Sequence, residues 1–175
     1  MSSTGLAEPA GAAANHEATG DANEAWVLFQ VDEQKYALRI WEVERIVRAV
    51  EVRPLPQSPA HVRGIVNVHG RVLPVVDLRV RFGRPSRDIR LEDHFIIART
   101  PTLSIVLPVD AALGSREMSG EAVNRIDEAR ADCVRRAITV GADVVYALDL
   151  ERVMFPVEPL DAWNLSSVLD DLQTA

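Results

Sequence analysis

One stretch constrains the fold more than any other: Gly64-Ile65-Val66-Asn67-Val68-His69-Gly70-Arg71-Val72-Leu73-Pro74-Val75-Val76-Asp77-Leu78. Two β-branched runs, Val62 to Val68 and Arg71 to Val76, flank the dipeptide His69-Gly70. A two-residue connection between strands needs positive φ. Gly70 tolerates that freely, and His69 tolerates it better than a β-branched residue would. The stretch therefore predicts a tight antiparallel hairpin. Pro74 has no N–H to give, so its strand is expected at a sheet edge or bulged there. Asp77 stands where a helix N-cap belongs, and Gly83 stands just past the end of Leu78-Arg79-Val80-Arg81-Phe82. Together they frame a short helix, with a cap worth about 1 kcal/mol.

The pattern recurs. Displaced by 72 residues, Val72–Leu78 falls on Val144–Leu150, and Asp77-Leu78 falls on Asp149-Leu150. Asp149 is thus expected to cap a second short helix. Both halves read as strands, a connection, a hairpin and then Asp-Leu. Units this small cannot each close a core, so the repetition predicts a mainly β chain of two lobes, about 26–94 and 95–156, that share one.

Around this frame, Trp26 to Val31 is strand-like, Asp32-Glu33-Gln34 is a turn, and Lys35 to Ile40 puts Tyr36, Leu38 and Ile40 on one face. Residues 41–50 fit either a helical stripe (Val43, Ile46, Val47, Val50) or a strand, and Pro54 and Pro56 end either element. Phe95 to Arg99 and Leu103 to Val109 are further strands. Residues 115–132 suit a helix or a surface connection. Residues 1–24 hold Ala, Gly, Ser, Thr and acids, with Met1 and Leu6 the only large apolar side chains, which predicts a disordered acidic tail. Residues 157–175 form a second acidic tail. There Leu165, Val168, Leu169 and Leu172 are spaced for a short helix, with a loose tail as the alternative.

Charge is unevenly spread. The chain carries −7 overall, but each tail holds four acids and no Lys or Arg, which leaves the middle near neutral. Within it, residues 39–90 hold 11 Arg and 5 acids. That excess suits an acidic partner, nucleic acid or a solvated surface. No aromatic residues interleave with these arginines as a nucleic-acid stacking platform needs, so no nucleic-acid partner is expected. Nothing in the chain reads as a membrane span or a secretory leader, and Cys133 is the sole cysteine, so a reducing cytoplasm is the expected setting.

The usual signatures of catalysis are missing. His61 and His69 lack metal-ligand spacing and Cys133 has no cysteine partner, so no metal and no cofactor are expected. Ser115 and Ser119 lack the glycine pattern of a nucleophile elbow, and no Gly-rich loop cradles phosphate. Glu42/Glu44 and Asp127/Glu128 read as solvated surface. The expectation is a non-enzymatic binding module.

Leu55-Pro56 followed by Val62-Arg63-Gly64-Ile65-Val66-Asn67-Val68-His69-Gly70-Arg71-Val72-Leu73-Pro74-Val75-Val76-Asp77-Leu78-Arg79 resembles the signature of the CheW-like chemotaxis coupling proteins. Phe29-Gln30-Val31, Tyr36-Ala37-Leu38 and Val43-Glu44-Arg45-Ile46 match upstream. Phe95-Ile96-Ile97, Val109-Asp110 and Leu148-Asp149-Leu150 match downstream, so the resemblance spans about residues 26–156. It implies two small SH3-like five-stranded β-barrels over a common hydrophobic core, in a domain at 25–156. It also implies an adaptor that links methyl-accepting chemoreceptor tips to the regulatory domain of a CheA-type histidine kinase, recruited from the cytoplasm to receptor arrays at the inner face of the membrane. Other CheW-like domains are further candidate partners. Val43, Ile46, Gly64, Val66, Val68 and His69 are the implied receptor- or partner-binding residues, and Ile105, Val106 and Leu107 the implied kinase-binding ones. Three departures stand out. His69 replaces the family's usual Arg, Arg135-Arg136-Ala137 stands where a glycine-containing stretch is common, and Val106 and Pro108 alter a usual Gly-x-x-V-D. A divergent scaffold of another motility or polarity system, binding only one of the two partners, is the alternative.

Overall fold

A computed structural model of the protein describes residues 24–118, 122–123, 130, 132–155, 169–170 and 172. The expectations for residues 1–23, and for most of 119–131 and 156–175, lie outside the described residues. The first described strand begins at Glu24, two residues before Trp26, where the expected strand was to start.

Besides the helical residues Arg130, Leu169, Asp170 and Leu172, the described elements with defined bounds are eleven strands and two short helices. In order they are β1 (Glu24–Val31), β2 (Gln34–Arg39), a 3-10 turn (Ile40–Glu42), β3 (Val43–Arg48), β4 (Val62–Val68), β5 (Arg71–Val76), α1 (Leu78–Arg81), β6 (His94–Arg99), β7 (Ser104–Val109), β8 (Ala111–Met118), β9 (Ala122–Val123), β10 (Val134–Val140), β11 (Asp143–Leu148) and α2 (Leu150–Met154). The ambiguous stretch 41–50 resolves into the 3-10 turn and strand β3.

Two sheets result. The first runs β8-β1-β2-β11-β10-β9 and the second β3-β6-β7-β5-β4. Setting aside the two-residue β9, each order reproduces the other strand for strand. The internal repeat is therefore real in three dimensions, and it is detailed. The β4/β5 ladder shifts register between Val62 and Gly64, and the β10/β11 ladder shifts between Val134 and Arg136, each 72 residues on. Asp77 donates its backbone N–H to His61, and Asp149 donates to Cys133. Arg63 lies 3.5 Å from Asp77, as Arg135 does from Asp149.

The lobes, however, do not divide near residue 94. Each repeat gives its first two strands to one sheet and its later strands to the other. β1 and β2 join β8, β10 and β11, while β6 and β7 join β3, β4 and β5. Parallel pairs Ala37↔Ala147 and Val75↔Val106 stitch the repeats together. The physical reason is burial. Phe29, Tyr36, Leu38, Ile96, Ile105, Leu107, Val76 and Leu148 point into one core between the sheets. Their strand neighbours point the other way, Trp26, Leu28, Ala37 and Ala147 into a core of the first sheet, Phe95, Ile97, Val106 and Val75 into a core of the second. Strands covered on both faces read as continuous apolar runs rather than alternating ones. Tyr36 sits at the centre, stacked on Phe29 and Phe82.

Local expectations at the hairpin hold in detail. His69 has φ 51° and Gly70 φ 84°. The Asp77 carboxylate accepts from the Arg79 N–H, the Asp149 carboxylate accepts from the Arg152 N–H, and Gly83 follows α1 with φ 68°. Pro74 is the exception. Its strand β5 lies inside the sheet, between β4 and β7, and the bulge falls on β4 at Val62/Gly64. The proline is tolerated because the β5–β7 ladder has a single registered pair, Val75↔Val106, so its missing donor breaks no extended ladder.

Candidate functional site

Two surfaces stand out once the core is accounted for. The first surrounds the hairpin tip. His69 and Gly70 project into solvent, and the Gly70 N–H donates to Asn67 Oδ1 at 2.8 Å, which fixes the turn. The second sheet rolls until its edge strand β3 meets this tip. Arg71 donates to Glu44 at 2.9 Å and to Ser104 at 2.8 Å, and Ser104 donates to Glu44 at 2.7 Å. These bonds hold the Glu44 carboxyl below the usual carboxylate range. A small hollow of about 50 Å³ lies between Glu44, Arg45, Val68, His69 and Arg71. The tip is therefore anchored to β3, and Arg71 is engaged inside that anchor.

The second surface lies at the seam between the sheets. Arg39, Trp41, Glu42, Arg99, Thr100 and Arg135 line a cleft of about 490 Å³. Trp41 is 55% exposed, with the Arg39 guanidinium 5.0 Å from its ring centre. Burial pushes the Glu42 carboxyl up, against a backbone hydrogen bond from Arg39 and the nearby charge of Arg135. Ile40, expected on the core face with Tyr36 and Leu38, is 43% exposed here. Strand β2 ends at Arg39, and the 3-10 turn swings the next side chain outward. Neither Ile40 nor Trp41 was marked by the sequence as a surface residue. The available signal was a tryptophan at a strand end in a chain only 5% aromatic.

The expected partner-binding residues do not form a single groove, because strand pleating sends them to different faces. Ile46 is exposed on β3, while Val43 packs against the shared core. Val66 is buried in the core of the second sheet, and Val68 packs partly against it. Gly64 is covered: its φ is 150°, and a Cβ there would lie 2.0 Å from the Arg53 carbonyl oxygen. Arg53 and Ile65 exchange backbone hydrogen bonds over it. His69 is exposed at the tip. Ile105, Val106 and Leu107 are fully buried in β7, so their side chains offer no surface to a kinase. They lie in a strand sandwiched between two cores.

The arginine-rich stretch is engaged mostly within the fold. Seven of its eleven arginines, Arg39, Arg63, Arg71, Arg79, Arg81, Arg84 and Arg87, form ion pairs. The most buried is Arg79, which bridges Asp32 at the β1–β2 turn and Asp110 between β7 and β8. Arg84 joins it on Asp32, and Arg87 pairs with both Asp93 and Asp110. Burial opposes ionisation of Asp32, but Arg79 and Arg84 outweigh it and hold the carboxyl low. This network ties the first sheet to the second and is not a site. Arg135 and Arg136, which mark a departure from the family pattern, are likewise structural. Arg135 bridges Glu42 and Asp149, and Arg136 lies over the Trp26 ring and near Glu24.

Cys133 is buried, and that burial pushes its thiol up to about 12, which removes thiolate reactivity near neutral pH. Among the described residues no group of His, Cys, Asp and Glu is placed to hold a metal ion, and no helix is long and apolar enough to cross a membrane.

A family model described as the CheW-like domain matches residues 25–155. The chain belongs to the CheW-like domain family. It is 26% identical over 140 residues to "Chemotaxis protein CheW" of Rhizobium meliloti (strain 1021), covering 78% of this chain and 90% of that one. It is 26% identical over 147 residues to the protein of the same name from Treponema pallidum (strain Nichols), covering 79% and 86%. With that from Thermotoga maritima the identity is 34% over 86 residues, covering 49% and 56%. The solved scaffolding protein TtCheW from Thermoanaerobacter tengcongensis superposes with a TM-score of 0.68 at 23% identity, over 82% of this chain and all of that one, which establishes the shared fold. The relatives carry a chemotaxis name, and the solved structure is titled a scaffolding protein.

Proposed function

We propose that this CheW-like protein is a cytoplasmic adaptor that couples the helical tips of chemoreceptors to the regulatory domain of a CheA-type histidine kinase. The observation that carries the reading is the rigid presentation of the hairpin tip. The residues of the family motif fold into a turn that is anchored to β3 through Glu44, Arg71 and Ser104, with His69 and Ile46 facing outward. The seam cleft adds an apolar and basic surface at Trp41, Arg39 and Arg99, next to the exposed Ile40. Such surfaces suit helical and β-rich partners, whose apolar side chains seat in hollows while charges fix orientation. Titration of the full chain with a purified receptor-tip helical hairpin and with a CheA-type regulatory domain tests it. Saturable binding to both is the expected result; no binding to either at tens of micromolar overturns it.

His69 supports a second reading, a divergent scaffold that engages only one of the two partners. Arg offers five donors and a permanent charge, whereas His offers at most two donors and loses its charge near neutral pH. Arg71 does not stand in for it, being bonded to Glu44 and Ser104. On this reading His69→Arg creates or strengthens one contact. Unchanged binding to both partners removes it.

A further inference from the structure

A groove of about 430 Å³ runs along the β4–β5 hairpin, lined by Val50, Arg53, Ile65, Val66 and Val72 and by one residue far away in sequence, Leu172. Ile65 and Val72 stand on the hairpin face turned toward the shared core, opposite Leu73 and Val75. Leu169, Asp170 and Leu172 are helical. Three residues apart, the two leucines lie on one face of the turn. Leu169 is only 9% exposed and belongs to the shared core cluster. The charged side chains of the lining, Arg53 and Glu51, are of opposite sign, so what the groove offers the turn is its apolar surface.

We infer that the groove along the core-facing side of the β4–β5 hairpin is a helix-docking site, and that its occupant in the free protein is the chain's own C-terminal turn, seated through Leu169 and Leu172. Leu169 is the anchor and Leu172 the part that reaches the groove. The apolar pair supplies the attraction. Because the occupant is covalently attached, its effective concentration is in the millimolar range or above, so a helix arriving from outside must outcompete it or displace it. The groove borders the His69 turn through Asn67 and is separate from the Trp41 cleft; this occupancy involves no outside partner, so it stands whether or not the adaptor reading is correct.

Hydrogen exchange of the full chain tests the inference. Leu172→Asp puts a charge on the apolar seat without opening the core. Exchange of amides in residues 62–76 should rise about tenfold, the factor that about 1.4 kcal/mol represents, while residues 26–39 stay unchanged. Unchanged exchange at 62–76 overturns the inference. Should exchange rise everywhere because the variant unfolds, a second measurement decides. In the otherwise native chain, a short bismaleimide should join Val50→Cys to Leu172→Cys within one molecule at least about ten times faster than it joins Glu33→Cys to Leu172→Cys, Glu33 being exposed on the β1–β2 turn. Equal rates overturn it.

Discussion

Gly64→Ala tests the fold where it bears most directly on the docking surface. Gly64 has φ 150°, and an added Cβ would meet the Arg53 carbonyl oxygen at 2.0 Å and its carbon at 2.7 Å. Both are backbone atoms, so no side chain can swing aside. The Arg53 segment must lift off β4, which breaks the two backbone hydrogen bonds between Arg53 and Ile65. Each is worth about 1 kcal/mol, and forcing a non-glycine residue into this region of φ adds about 1–3 kcal/mol. The total is about 3–5 kcal/mol. Gly83→Ala is the control. It carries φ 68° but meets nothing within 4 Å, so only left-handed strain of about 1–2 kcal/mol applies. Urea unfolding followed by tryptophan fluorescence reads both. With an m-value of about 2 kcal/mol/M, Gly64→Ala should lower the midpoint by about 2 M and Gly83→Ala by under about 1 M. If Gly64→Ala costs no more than Gly83→Ala, the packing of Arg53 over Gly64 is wrong. In that event Gly64 becomes available again as a partner contact.

Other outcomes follow from the same geometry. Arg79→Met should destabilise by about 2–3 kcal/mol, less than a fully buried pair because Asp32 and Asp110 are partly exposed, as read by thermal or urea unfolding at pH 7. The low-lying Asp32 carboxyl adds an acid signature: its contribution is present above its unfolded value near pH 4 and is lost as pH falls below, and the Arg79→Met chain should show less of this loss. Asp77→Ala should cost more than Asp149→Ala in the same unfolding assay, about 2 against about 1 kcal/mol, since the buried Asp77 also accepts from Ser86 while Asp149 is more exposed. His61 is buried, with Nε2 donating to the Met154 carbonyl, and burial lowers its pKa. The folded state therefore favours the neutral ring, and the associated stability is full above about pH 6.5 and declines as pH falls from there. His61→Gln should flatten the change in urea midpoint between pH 7.5 and 5.5 relative to the native chain.

What the sequence determined by itself was local and periodic. A two-residue turn with a glycine, an Asp ahead of a short helix and a glycine behind it are fixed by φ preferences and by side-chain-to-backbone hydrogen bonds within a few residues. The repetition of that unit was legible for the same reason, and the family motif is built on it. Tertiary structure alone decided the rest. The exchange of strand pairs between the repeats cannot be read from either repeat, because it depends on which faces meet to form the shared core. Ile40 leaves the core for the surface where a strand ends one residue early, and Pro74 sits inside a sheet because its neighbour needs little from it. Gly64, Val66 and Val106 stand where the family resemblance implied contacts, yet they lie beneath other backbone or between two cores. Burial on both faces of a strand is a property of what packs against it, and a one-dimensional pattern records only that a residue is apolar, not which of its two sides meets water.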